Sequence, residues 1–378
     1  MTGRRVAVVG VGYSTVGRRT GLSARQLTAQ SVDAALEDAG LQASDIDGYS
    51  TLGGEPMSDA QMLGMGPLSW FASGMASPAF SHAAIYSIAA VASGQCETAM
   101  TTRIIQQQPT GEALLAMSAM SRANGVPGDM QFVAPFGAGS PTQWAGLLTQ
   151  RRMLEYGMTE EQFGAHVVAQ RYHASLNDDA LFRDPLTIDD YLAARYVSKP
   201  VRILDCDYPV DSGAAVIFTT EERARDLKQK PVFVEASALS AISDLSFENL
   251  PDMVRTSPHH CADLLWSRTD LTPADVDCAQ LYDGFTIITV EWLEALGLCA
   301  EGEAGSFLAS GATRLGGSMP VNTDGGACNV GRRHGANFCI EAVRQIRGQC
   351  GERQVPGAEV SVWTNAVGPF SAAFLMTA

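Results

Sequence analysis

Residues 6–12 (Val-Ala-Val-Val-Gly-Val-Gly) are apolar without alternation, the pattern of a strand covered on both faces. A helical period follows over 23–39, with Leu27, Val32, Ala35, Leu36 and Ala39 on one side, Ser23 as N-cap and Gly40 as the stop. The stretch 40–49 reads as a turn into a second strand. Residues 77–93 (SPAFSHAAIYSIAAVAS) are small and apolar all round, which predicts a helix buried on most sides, and 96–101 predicts the strand after it. Residues 106–140 carry Gly, Met and Pro with little period and read as a long excursion over a functional face. A helix is predicted over 159–174, with Thr159 at its start and Gln162 three residues on. Asp211-Ser212-Gly213 opens a strand at 214–219.

The later part of the chain repeats the opening order. A strand at 232–236, a helix at 260–267, a turn at 270–277 and a strand at 278–281 match the earlier series, and both turns carry Leu-x-x-x-Asp-[Ile/Val]-Asp. A duplicated α/β unit follows, with halves at 1–228 and 229–378. Helices at 287–296 and 341–347 and strands at 359–364 and 371–376 complete the second half.

Charge and composition then narrow the function. The 378 residues are 46% hydrophobic and 18% charged, with a formal net charge of −15. No basic footprint for nucleic acid is present. No apolar run is long enough to cross a bilayer, and the first residues lack a secretory signal pattern, so the expected location is the cytoplasm. Eight cysteines form no CxxC pair and read as reduced, buried thiols; Cys96 and His82 are expected in the core. The only lysines are Lys199, Lys228 and Lys230, each beside a proline or in a polar connector, poor settings for a Schiff base. The six histidines show neither HxH nor HExxH spacing, and neither a metal nor a cofactor is expected. Gly10-Val11-Gly12 begins like a dinucleotide fingerprint, but the third glycine and the immediate helix are missing.

Four polar or glycine-rich segments stand where strands meet helices, the place where α/β proteins hold ligands. They are Gly74-Met75-Ala76-Ser77-Pro78, Gln280-Leu281-Tyr282-Asp283-Gly284-Phe285-Thr286, and Pro320-Val321-Asn322-Thr323-Asp324-Gly325-Gly326 leading to Gly331-Arg332-Arg333-His334-Gly335. The fourth is Thr364-Asn365-Ala366-Val367-Gly368-Pro369.

In this order, over nearly the whole chain, the segments resemble the thiolase superfamily. Asp205-Cys206-Asp207-Tyr208-Pro209-Val210-Asp211-Ser212-Gly213-Ala214-Ala215, Asn322-Thr323-Asp324-Gly325-Gly326 and Glu341-Ala342-Val343-Arg344-Gln345-Ile346-Arg347-Gly348 are similar to the branch around the thiolase part of sterol carrier protein X. The resemblance implies a five-layer αβαβα fold with two pseudo-equivalent halves, usually dimeric. The thiolase residues themselves are replaced. The nucleophilic cysteine position falls at or near Ser77, the GHP histidine position holds Arg332 with His334 two residues on, the second cysteine position holds Asn365-Ala366, and the oxyanion-hole position holds Tyr282.

The pattern is closest to the thiolase-like aldolases of bacterial steroid side-chain degradation, which Tyr282-Asp283-Gly284-Phe285-Thr286 and Trp292-Leu293-Glu294-Ala295-Leu296-Gly297 resemble. That family implies retro-aldol cleavage of a β-hydroxyacyl-CoA with a tertiary hydroxyl, giving a ketone and propionyl-CoA. CoA is then part of the substrate, and any zinc belongs to a small zinc-ribbon/OB-fold partner. Tyr282 is the expected base or proton donor, aided by Arg332 or His334. Asp283 is an acid or, more simply, the cap of the following helix. His334 is an acid/base or orienting group. Ser77 and Asn365 line the pocket; Arg332, Asn322 and Gly325 contact substrate, and Arg332 and Arg333 either face solvent or meet CoA phosphates. A second tyrosine that some of these aldolases carry would fall near Ala336 and is missing. Three alternatives stay open: an acyltransferase or condensing subunit, a non-catalytic acyl-CoA-binding scaffold, and a thiolase using Cys328.

Overall fold

The computed structural model describes residues 3–52, 54–73, 79–107, 130–138, 140–242 and 250–378. Ser77 with the rest of 74–78, and most of the 106–140 excursion, lie outside the described residues. The strands are β1 (Val6–Tyr13), β2 (Gly48–Leu52), β3 (Trp70–Ser73), β4 (Thr98–Ile105), β5 (Tyr196–Ser198), β6 (Val201–Arg202), β7 (Ser212–Thr220), β8 (Val232–Ala241), β9 (Cys278–Gln280), β10 (Val360–Val367) and β11 (Phe370–Thr377). The helices that build the layers are α1 (Ala24–Ala39), α2 (Phe80–Ser93), α3 (Glu160–Ser175), α4 (Ser257–Trp266), α5 (Thr286–Ala295) and α6 (Ala336–Arg347).

Among the described residues, nine strands join in the order β3-β2-β4-β7-β1-β8-β11-β10-β9, and β5 with β6 forms a separate ribbon. The order is mirrored about the short β1–β8 pairing. Outward on either side comes an antiparallel strand (β7 or β11), another antiparallel to it (β4 or β10), then one parallel to that (β2 or β9). The repeated Asp turn performs one task twice. Asp47 accepts the N–H groups of Glu97 and Thr98 at 3.0 and 2.7 Å where β4 begins, and Asp277 accepts those of Glu359 and Val360 at 2.8 Å where β10 begins.

Strand alternation makes the layers. Ala7 and Val9 point to an outer layer with Val32 and Ala35 of α1. Val6 and Val8 point instead to a central layer filled by Phe80 of α2, Phe338 and Ile340 of α6, and Trp363 with Phe374, whose rings stack at 4.0 Å. The other faces of β10 and β11, through Val362 and Leu375, meet α4 and α5 in the second outer layer. Helix, sheet, helix, sheet, helix is the five-layer arrangement expected from the sequence.

Local chemistry accounts for the element ends. Ser23 and Gln26 form a capping box on α1, and Gly40 closes it at φ 71°. Thr159 and Gln162 do the same for α3. The predicted helix at 77–93 begins only at Phe80. The predicted helix at 341–347 begins five residues earlier, at Ala336, because Phe338 and Ile340 seat in the central layer. The Gly10/Gly12 pair is explained by packing: a Cβ on Gly10 would lie 2.4 Å from the Ala35 carbonyl oxygen, and one on Gly12 would lie 2.4 Å from the Ala35 nitrogen, so these glycines let α1 sit down on β1. Among the described residues no helix is long and apolar enough to cross a membrane.

Candidate active site

β9 ends at Gln280, and the chain turns through Leu281–Phe285 into α5. This turn is held from below. Asn322 accepts the Leu281 N–H at 2.6 Å with Oδ1, and the Thr364 hydroxyl accepts the Tyr282 N–H at 3.0 Å. The half-buried Tyr282 ring meets Phe338 edge-on, with centroids 6.0 Å apart. Its hydroxyl makes no hydrogen bond among the described residues. Burial pushes the phenol well above its ordinary value; Asp207 and Asp283 add to this, and Arg332 and Arg103 oppose it.

Two cationic side chains therefore act on Tyr282. Arg332 forms a bidentate pair with Asp207, Nε to Oδ2 at 2.8 Å and Nη2 to Oδ1 at 2.7 Å. Arg332 is thus paired with a buried carboxylate while its side chain stays partly exposed. Arg333 is not in solvent; it is 2% exposed and lies over the Tyr13 ring at 4.0 Å. Arg103, from the inner strand β4, places Nη2 2.6 Å from Nδ1 of His334. Sequence reasoning passed over Arg103, although a charged residue inside an apolar strand was the available signal. His334 stands at φ 48°, and its carbonyl accepts the Phe80 N–H at the start of α2 at 2.9 Å.

Asn365 enters from the later part of β10; its Oδ1 accepts the Ser81 N–H at 3.2 Å, and its Nδ2 is buried without a hydrogen-bond partner among the described residues. A Cβ on Gly335 would lie 2.4 Å from Asn365 Oδ1, so the loop before α6 passes directly over this amide. Among the described residues, the non-glycine residues with positive φ are Asn322 and His334, on these loops, and Ala366, near the end of β10, as is common where a site is held in strained geometry.

The structure gives three of the expected site residues other positions. Asn322 is fully buried, with its side chain on Leu281 and its carbonyl taking His173 Nδ1 at 3.1 Å. Gly325, at φ 105°, packs on Ala174, where a Cβ would come within 2.5 Å. Asn322 thus holds the Tyr282 turn from below, and Gly325 lets its loop pack against α3. Asp283 does not cap α5, whose N-cap is Phe285 without a side-chain bond. It is fully buried, taking the Ala327 N–H at 2.9 Å and Gln170 Nε2 at 2.6 Å. Ser77 lies outside the described residues.

Burial raises Asp283 to about 7, and raises Glu291 of α5, bonded by Thr256, to about 7 as well. Unfolded carboxyls ionise near pH 4. The folded chain thus holds protons that the unfolded chain has lost, and the stabilisation present at low pH is lost as pH rises toward 7. Each group is expected to contribute a fall of about 1 kcal/mol per pH unit between roughly pH 4 and 7, levelling above. Urea midpoints at pH 5.5, 6.5 and 8 check this. Asp283→Asn should flatten the fall, and a wild-type midpoint that rises over this range would contradict the assignment.

Thiol and amine chemistry lie elsewhere. Cys328 is fully buried against the Asp283 carbonyl, and burial lifts its thiol well above its usual value, which removes it as a nucleophile. The half-buried Cys206 and Cys299 are pushed up to about 12 by burial. Iodoacetamide at pH 7.5 is therefore expected to leave activity unchanged; its loss, with one labelled cysteine found by mass spectrometry, would restore the thiolase alternative. Lys228 and Lys230 donate to the carbonyls of Glu37 and Ile346, and Lys199 lies over Tyr196, all away from Tyr282.

Comparison with known proteins agrees with this geometry. The family model described as "Thiolase C-terminal domain-like" matches residues 240–377. The chain is 35% identical to the 17-hydroxy-3-oxo-4-pregnene-20-carboxyl-CoA lyase of Mycobacterium tuberculosis, over 92% of this chain and 93% of the relative. It is 33% identical to the steroid side-chain-cleaving aldolase of Thermomonospora curvata, over 90% of each. Among solved structures, an Ltp2-ChsH2(DUF35) aldolase superposes with a TM-score of 0.89 at 30% identity, covering 100% of this chain and 98% of that one. The chain belongs to the thiolase superfamily, among its thiolase-like steroid side-chain aldolases.

Proposed function

We propose that the chain is a carbon–carbon lyase that cleaves a β-hydroxyacyl-CoA by a retro-aldol reaction, the substrate being a steroid side-chain CoA thioester with a tertiary hydroxyl. The observation that supports it most is a neutral phenol, Tyr282, acted on by Arg332 and Arg103, in a site with neither an activated thiol nor a lysine near that phenol. The β-hydroxyl loses its proton, its oxygen becomes the ketone oxygen, and the Cα–Cβ pair passes into the thioester as an enolate. The enolate takes a proton at Cα and leaves as propionyl-CoA. The net change moves one proton from oxygen to carbon. A phenol held neutral suits a relay: Tyr282 gives its proton to the forming carbanion and receives the hydroxyl proton, ending as it began. Positive charge from Arg332 and Arg103 stabilises phenolate character on the way, and His334 with Asn365 supplies polar contact for the thioester oxygen. Neither a cofactor nor a metal is needed in this scheme.

The chain is read as a cytoplasmic homodimer, where its eight unpaired thiols stay reduced. A small zinc-ribbon/OB-fold partner is part of the same reading. It is supported by the two-component structural neighbour and by Phe132, Phe136, Leu147 and Leu154, which are exposed on residues 130–156.

The test is product release from a β-hydroxy steroid-CoA, followed by chromatography with and without free CoA. Release of ketone and acyl-CoA at the same rate in both is expected. Release only with added CoA would mean thiolysis and overturn the reading.

A further inference from the structure

We propose that the last turn of α3 braces the Tyr282 turn, and that His173, with its proton on Nδ1, is a positioning residue that fixes Asn322 beneath Tyr282. Its catalytic meaning rests on the retro-aldol reading.

α3 presents a stripe at helical spacing, Gln170, His173 and Ala174, continued by Asn177 just past its end, and all of it is buried. A helix that only packs buries apolar residues, as α3 does with Phe163 and Val167. Along this stripe the polar side chains meet the two loops of the site instead. Gln170 Nε2 donates to Asp283 Oδ2 at 2.6 Å, next to Tyr282, and Asn177 Nδ2 donates to the Asp324 carbonyl at 2.8 Å. Gly325 lies against Ala174, where a Cβ would not fit.

His173 joins the stripe to the turn itself. Nε2 accepts the Leu315 N–H at 3.1 Å, and Nδ1 stands 3.1 Å from the Asn322 carbonyl oxygen. A backbone N–H only donates and a carbonyl only accepts, so both bonds demand the same tautomer, with the lone pair on Nε2 and the proton on Nδ1. The ring is fully buried, and burial pushes it down to about 4, so it is neutral in the working range. Asn322 stands at φ 51°, a costly conformation for a residue other than glycine. Its carbonyl takes His173 and also the Gly325 N–H at 3.0 Å, while its Oδ1 takes the Leu281 N–H at 2.6 Å. The restraint thus runs from His173 to the Asn322 backbone, and from the Asn322 side chain to the residue before Tyr282. Because the Gly325 N–H stays on the carbonyl, loss of His173 loosens Asn322 without orphaning its oxygen.

The two histidine bonds are separable. An asparagine at 173 sets its amide N–H where Nδ1 stands and keeps the bond to Asn322; a glutamine reaches as far as Nε2 and keeps the bond to Leu315. His173→Gln is expected to lower kcat by about 10- to 100-fold with KM changed less than about threefold, as misplacement of a reacting group does. His173→Asn should keep at least about a third of wild-type kcat, although both variants drop one buried bond and should lose similar stability in urea. Asn322→Ala should lower kcat as His173→Gln does, and the double variant should fall no further than the larger single loss. Histidine ¹⁵N spectra of the wild type, assigned by the signals missing from His173→Asn, read the tautomer without relying on activity, and Nδ1 is expected to carry the proton at neutral pH. A proton on Nε2, an imidazolium, or full kcat in His173→Gln overturns the proposal. Equal kcat losses in the Asn and Gln variants, or losses that multiply in the double variant, do the same, since a merely structural histidine would behave so. If His173→Gln does not fold, the wild-type spectrum and the kcat of Asn322→Ala decide. Full activity of Tyr282→Phe beside the expected spectrum would sink the reaction scheme and leave the His173 assignment standing.

Discussion

Replacing Tyr282 by phenylalanine is expected to lower kcat by about 10²- to 10⁴-fold, the range in which a positioned proton-transfer group contributes. The fold should not change. The hydroxyl makes no hydrogen bond among the described residues, so its removal orphans no partner, and the ring keeps its edge-on contact with Phe338. Melting temperature and circular dichroism should match the wild type, and KM should move little beside kcat. The loss should persist from pH 6 to 9, because burial already keeps the phenol neutral across that span. A variant retaining more than about a third of wild-type kcat would mean that another group carries the proton.

The second large effect concerns stability. Arg152 and Glu294 are 3% and 7% exposed, paired at 2.5 Å, with the other Glu294 oxygen taking the Ala304 N–H at 3.2 Å. Arg152 lies on the helix Pro141–Tyr156 and Glu294 on α5, so the pair ties that helix to the element following the Tyr282 turn. Removing one partner leaves a buried charge uncompensated, and Arg152→Met alone or Glu294→Leu alone is expected to cost about 3–5 kcal/mol. The double variant should cost far less than the sum, since apolar side chains of similar size replace the whole pair. Urea unfolding of the three variants checks this. Single variants within about 1 kcal/mol of wild type would show that water or a rearranged neighbour solvates the remaining charge.

Much of the fold was legible because it depends on residues close together in the chain. The unalternated run at β1, the Ser23–Gln26 and Thr159–Gln162 boxes, and the paired Asp47 and Asp277 turns all act over a few positions and read correctly from spacing. The location of the site was legible too, since loops joining strand ends to helix starts are marked by glycine and polar residues. The resemblance to thiolases, with each thiolase residue replaced, carried the reading from a location to a reaction.

What each side chain does within the site was not legible. Asp283 looked like a cap for the helix beside it. In the structure it bonds Gln170, 113 positions away, and the Ala327 N–H, because packing buries it below the turn where those groups are nearer than the α5 terminus. Asn322 and Gly325 looked like ligand contacts; in the structure Asn322 takes the Leu281 N–H and Gly325 lies against Ala174 of α3. Arg103 and His334 are 231 residues apart, and only the layered sheet brings them together. The sequence by itself determined the elements, their duplicated order and the identity of the replaced residues, because periodicity, capping and substitution are local properties. The tertiary structure decided which polar groups are buried, which partners they find and so which protonation states they hold, because desolvation and charge pairing depend on distances that chain order does not encode.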